Sequence, residues 1–173
     1  MLIDVRDILK ASGLAKTVEL EATPEGCGIS GPDADCEFTE PFRVAAELTN
    51  IKGLIRVKGT VGTGYDTYCS RCLKPIHRKI NKNFESEFVR RGSLGGVSAE
   101  DAEVFEYSEK EIDVGLAVRE AVLLEIPFKH LCSADCLSLC PICGKDMNEG
   151  ACGCEPPAGD ARFSALKNFF AEQ

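Results

Sequence analysis

Histidine is almost absent from this 173-residue chain, which carries only His77 and His130. With so few imidazoles, no nucleophile, base and orienting group suggest themselves, although a triad need not be contiguous. Long apolar runs are missing too. No window approaches the roughly 20 apolar residues of a membrane span. The opening MLIDVRDILK places Asp4 and Asp7 where a secretory leader needs positive charge followed by an apolar run. We therefore expect a cytoplasmic protein without a membrane span. The glycine- and serine-rich RGSLGGVSAEDAE (91–103) lacks the lysine of a phosphate-binding loop, and no small-molecule substrate is expected.

Cysteine, by contrast, is abundant, with ten residues. In a reducing compartment ten thiols point to metal rather than to disulfides. Eight fall into four close pairs: Cys69/Cys72 in CSRC, Cys132/Cys136, Cys140/Cys143 in CPICG, and Cys152/Cys154 in CGC. Tetrahedral zinc takes two ligands from one tight turn and two from another, so four pairs make two sites. In CPICGK, Pro141 sets the turn and Gly144 permits the positive φ that lets backbone N–H groups face sulfur. Its natural partner is CGC, reached through GKDMNEGA with the turn formers Asn148 and Gly150, which gives a first zinc site of Cys140, Cys143, Cys152 and Cys154. A second zinc on Cys69, Cys72, Cys132 and Cys136 would clamp the tail to the body. Iron is the rival occupant, since the same knuckle holds the single iron of rubredoxins. Cys27 and Cys36 lack a close partner and read as structural. His130 reads as a neighbour of the ligands, with direct ligation in place of a thiolate the alternative.

The patterning is that of an α+β protein. AKTVELEA (15–22) alternates as a strand, and further antiparallel strands follow in FRVAAELTNIKGLIRVKGTVGTGYDTY, broken at Gly53, Gly62 and Gly64. Ile76, Ile80, Phe84 and Phe88 fit a helical stripe at a spacing of four, yet also share one face of a strand; we read a strand. The acidic stretch 101–113 reads as a solvated loop; as a binding surface it would suit a basic, ribosomal-type protein. Asp113 caps a helix over 113–125 that stops before Pro127, with Val114, Ala117, Val118, Ala121 and Leu124 facing inward. The expected architecture is an antiparallel sheet or partly open barrel-like body over 1–131, a zinc-ribbon appendage over 132–158, and a C-terminal helix over 159–173.

The net charge of −8 hides a division. Residues 1–40 and 92–173 net −6 and −9, while 41–91 net +7. Arg71, Lys74, Arg78, Lys79 and Lys82 lie in and after the CSRC turn, where a basic stripe would serve RNA phosphates. A solvated strand face is the plain alternative.

Three stretches, CSRCLKPI (69–76), IDVGLAVREAVLLEIPFKHLC (112–132) and CLSLCPICGKDMNEGACGC (136–154), resemble in order the YceD family of large ribosomal RNA subunit accumulation proteins. The ending GDARFSALKNFF is similar to that family's, with Ala161 where proline is commoner. The resemblance implies a non-enzymatic role in accumulating large-subunit (23S) ribosomal RNA and assembling the subunit, with rRNA precursor or ribosomal proteins as partners. Some family members lack the C-terminal cysteines, so the metal would stabilise or present the tail. The other readings are a zinc-ribbon adaptor in transcription or another nucleic-acid process, and an iron-binding redox carrier.

Overall fold

A computed structural model describes residues 1–29, 36–92, 104–108 and 110–155. The predicted C-terminal helix (159–173), the end of the appendage and nearly all of the 91–103 segment lie outside them.

Among the described residues eight strands and one α-helix follow in order: β1 Leu2–Asp4, β2 Ala15–Ala22, β3 Glu37–Phe38, β4 Phe42–Ile51, β5 Leu54–Tyr68, β6 Pro75–Arg90, β7 Val104–Tyr107, β8 Glu111–Asp113 and α1 Gly115–Glu125. The six-stranded sheet runs β2-β4-β5-β6-β7, with β3 added alongside β5. Long hairpins build its centre: β4 turns into β5 through Lys52 and Gly53, both at positive φ. The sheet is open, with no closed barrel among the described residues. It is also mixed, because β7 joins β6 in parallel. That pairing and the small β1–β8 sheet come from the acidic 101–113 stretch, whose described residues are mostly strand (β7 and β8) joined by a turn at Lys110, rather than a solvated loop throughout. Alternation is too short there to announce a strand, and distant partners supply the ladder.

Gly62 and Gly64 do not break β5. They sit within its ladder, opposite Asn81 and Lys79. The Gly64 site leaves room for the Glu40 side chain, which a Cβ there would meet at 2.8 Å. Glycine marks a close approach at this point, not a turn.

The core lies on one face of the sheet. Val44, Ala46 and Leu48 of β4, Ile55, Val57 and Val61 of β5, and Ile80, Phe84 and Phe88 of β6 are all buried. α1 packs over them through Val118 and Val122, both fully buried, with Val114 just ahead of its first turn. Val114, Ala117, Val118 and Ala121 face inward as expected, but Leu124 points outward, 83% exposed, and Val122 takes the inward place at that end. The helix begins two residues later than expected, with Val114 at its N-cap. Asp113 still serves its start, accepting from the Gly115 N–H at 2.9 Å while pairing with the Met1 amine at 2.7 Å. The Met1 amine and the Gly115 N–H outweigh the cost of burial and hold the Asp113 carboxyl below its usual range.

Candidate metal centres

Cys69 and Cys72 occupy the turn between β5 and β6, and their backbone repeats in the distant CPICG turn. Cys69 N–H donates to Lys74 O at 2.8 Å and Leu73 N–H to Cys69 O at 2.9 Å. Cys140 N–H donates to Lys145 O at 2.8 Å and Gly144 N–H to Cys140 O at 2.9 Å. The residue after the second cysteine is left-handed in both, Leu73 at φ 59° and Gly144 at φ 73°. Two copies of one knuckle are therefore present, and only one has the glycine that such a φ favours.

Each knuckle gathers a second pair of thiols. Cys69, Cys72, Cys132 and Cys136 form one group and Cys140, Cys143, Cys152 and Cys154 another, each with all its sulfurs within 4.8 Å of one another. In the first, Cys69 Sγ lies 3.8 Å from Cys136 Sγ and Cys72 Sγ 3.6 Å from Cys132 Sγ. A tetrahedron of four thiolates with metal–sulfur bonds of about 2.3 Å has edges of about 3.8 Å, so this donor set is sized for such an ion. Both groups could hold a metal. Regular ribbon strands are absent from the described part of the appendage, which carries an isolated bridge between Leu139 and Asp146 and a 3-10 turn at Met147–Glu149.

Burial and backbone donors divide the thiols. Burial would raise Cys69, but the N–H groups of Cys72, Cys132 and Arg71 overcome it and hold the thiol down to about 6. The N–H groups of Cys143 and Ile142 bring Cys140 likewise to about 6. At Cys72 the N–H of Lys74 favours the thiolate, yet burial and the neighbouring sulfurs push it up to about 12. Cys143 and Cys152 push Cys154 up to about 12. Four thiolates this close repel one another, so each cluster keeps some protons until a cation takes their place.

The second pair of each cluster is held by named bonds. Ser70 N–H donates to His130 O at 2.7 Å and Cys132 N–H to Cys69 Sγ at 3.4 Å, laying the 130–136 segment along the first knuckle. His130 is buried with its ring edge-on to Tyr65, and it is not in the thiol cluster. Asn148 connects the two clusters: its Nδ2 lies 3.5 Å from Cys136 Sγ, and its Oδ1 accepts from Leu137 N–H at 2.8 Å. Sequence pattern marked Asn148 only as a turn former; nothing local signals its reach to a sulfur twelve residues away.

The five cations expected to make one basic stripe are dispersed. Arg71 Nη1 donates to Cys136 O and Arg78 Nη2 to Leu131 O, each at 2.6 Å. Lys74 pairs with Asp146 at 3.0 Å and Glu149 at 3.6 Å, and Lys82 with Glu125 at 2.7 Å. Arg78 and Lys82 share the inner face of β6 with Ile80 and Phe84, whereas Lys79 lies on the outer face, 73% exposed and 3.7 Å from Glu40. Four of the five thus fasten the knuckle, the tail segment and the helix end to one another.

Among the described residues no helix is long and apolar enough to cross a membrane. The family model described as "Large ribosomal RNA subunit accumulation protein YceD" matches residues 57–170, a span holding both thiol clusters. The chain is similar to the Zea mays "Large ribosomal RNA subunit accumulation protein YCED homolog 1, chloroplastic", with 26% identity over 160 residues, 75% of this chain and 55% of the relative. For the Arabidopsis thaliana protein of that name the identity is 24% over 184 residues, covering 91% and 53%. An uncharacterized protein of Mycobacterium tuberculosis is 33% identical over 90 residues, 52% of this chain and 44% of the relative. The chain spans about half the length of these curated relatives. No solved structure matches.

Proposed function

The chain belongs to the YceD family of large ribosomal RNA subunit accumulation proteins, and from that premise we propose that it is a non-catalytic cytoplasmic factor for accumulating large-subunit ribosomal RNA. The observation that carries the reading is the family match across residues 57–170. Zinc fills both thiol clusters in this reading, closed sites of four thiolates that leave no coordination position for a substrate. The metals are structural. They hold the 132–158 appendage against the β-rich body of residues 1–131 and present it to precursor RNA or to ribosomal proteins.

Arg71, Lys74, Arg78, Lys79 and Lys82 supply positive charge around the first knuckle and both faces of β6. Lys79, more exposed than Lys74 or Lys82, makes the direct phosphate contact, while Arg71, Lys74 and Arg78 hold the appendage and its lead-in and Lys82 holds the end of α1. Depletion in cells should lower large-subunit RNA relative to small-subunit RNA. An unchanged ratio with normal subunit profiles would sink the proposal.

A further inference from the structure

Strand β2 stands at one end of the six-stranded sheet, and among the described residues it pairs only with β4. An edge strand directs the N–H and C=O of every second residue away from its neighbour, a template for another extended segment. Lys16 does not guard this edge, because its Nζ is bound to Asp4 O at 3.2 Å. From Thr17 to Ala22 the strand carries neither proline nor a further lysine.

The two faces of β2 differ in what they lack. Inward, Val18, Leu20 and Ala22 pack on the core but stay only half-buried, whereas Val44, Ala46 and Leu48 on adjacent β4 are at most 3% exposed. Among the described residues this row is left half-covered on the side away from β4. Outward, Glu19 and Glu21 line a concavity of about 630 Å³ together with Glu40, Arg43, Thr60 and Lys79. Arg43 pairs with Glu21 at 3.4 Å and Glu40 at 3.6 Å, while Glu19 has no cation within ion-pair distance among the described residues.

Charge selects the occupant. A second copy pairing edge to edge would set Glu19 opposite or diagonal to the Glu19 or Glu21 of the other copy, and like charges that close destabilise a ladder. We propose that β2, Ala15–Ala22, is a strand-addition site for an extended basic segment of a protein partner. In that segment Lys or Arg alternates with β-branched residues. Its cations meet Glu19 and Glu21, and its apolar side chains cover Val18 and Leu20. The site does not depend on the RNA reading above.

The test uses the full chain and two decapeptides, one alternating Lys with Val or Thr, the other carrying Glu in place of each Lys. The Lys peptide should slow amide exchange across residues 15–22 and bind about tenfold tighter than the Glu peptide. Glu19→Lys with Glu21→Lys should reverse that preference while leaving the fold intact. Three outcomes would overturn the proposal: equal protection by both peptides or by neither; protection without peptide that grows with protein concentration, the mark of a second copy; and protection without peptide that is lost on removing residues 156–173, the mark of this chain's own tail.

Discussion

Cys72 Sγ and Cys132 Sγ lie 3.6 Å apart although they are 60 positions apart in the chain. Nothing between them in sequence is shared: β6, β7, β8 and α1 all pass before the second thiol returns to the first. A metal here would therefore close a long loop, while a metal in the Cys140 cluster would close a short one. Their removal has unequal consequences.

Purified protein should carry about two zinc ions per chain by elemental analysis. Cys140→Ser with Cys143→Ser should remove one and loosen residues 136–155, leaving the strands folded. Cys132→Ser with Cys136→Ser should remove the other and lower the melting temperature by about 3–5 °C more than the first variant, because the longer loop is released. Unchanged metal content in either double variant would refute the ligand assignment.

Metal uptake should expel protons in a pH-dependent number. Cys69 and Cys140, held down to about 6, are thiolates at pH 8 and lose nothing on binding, whereas Cys72 and Cys154, pushed up to about 12, must each release a proton. As pH falls through about 6, Cys69 and Cys140 become protonated, so about one more proton leaves per site and affinity drops. Calorimetry in buffers of different ionisation enthalpy measures the count. A release that stays constant between pH 8 and pH 5 contradicts this ordering of the thiols.

Gly59 lies opposite Phe84 on the core face, and a Cβ there would meet Ala45 O at 2.7 Å, Ala46 Cβ at 2.9 Å and Phe84 Cε1 at 3.0 Å. Two of those neighbours belong to β4 and cannot swing aside. Gly59→Ala should cost about 1–3 kcal/mol in denaturant unfolding, with zinc content unchanged. A neutral effect would mean that the β4–β5 spacing is looser than these contacts require.

Lys79→Ala should weaken binding of large-subunit RNA fragments and flatten the salt dependence by about one unit of slope, as expected for one lost phosphate contact. Arg78→Ala should act differently. It leaves Leu131 O without its donor and speeds amide exchange at 129–136, with a smaller change in salt slope. Equal salt slopes in the two variants would place both side chains on the RNA.

Local spacing carried much of the structure. The alternation of AKTVELEA became β2 without a shift at either end, and Ile80, Phe84 and Phe88 face the core from one strand as the period-2 reading required. Cysteine arithmetic likewise grouped the thiols into the two sets of four that the fold gathers. Other expectations failed where a distant partner decides. Gly62 and Gly64 read as breaks because glycine weakens an isolated strand, but fourteen cross-strand pairs with β6 hold β5 straight through them. Leu124 fitted a helical stripe, yet Val122 takes the inward place and Leu124 lies two residues, roughly 200° of helix rotation, past it, facing away from the core.

Charge separates the two levels most clearly. The sequence by itself determined that Arg71, Lys74, Arg78, Lys79 and Lys82 lie together along the chain, and that eight thiols fall into knuckle-forming pairs, because both are matters of spacing. Only the tertiary structure decided which cations remain free. The partners of Arg71 and Arg78 are carbonyls more than fifty residues away, and those of Lys74 and Lys82 are carboxylates brought in by the appendage and by α1. A thiol's neighbours are set by a short turn; a long cation's partner is whatever the fold carries within its reach.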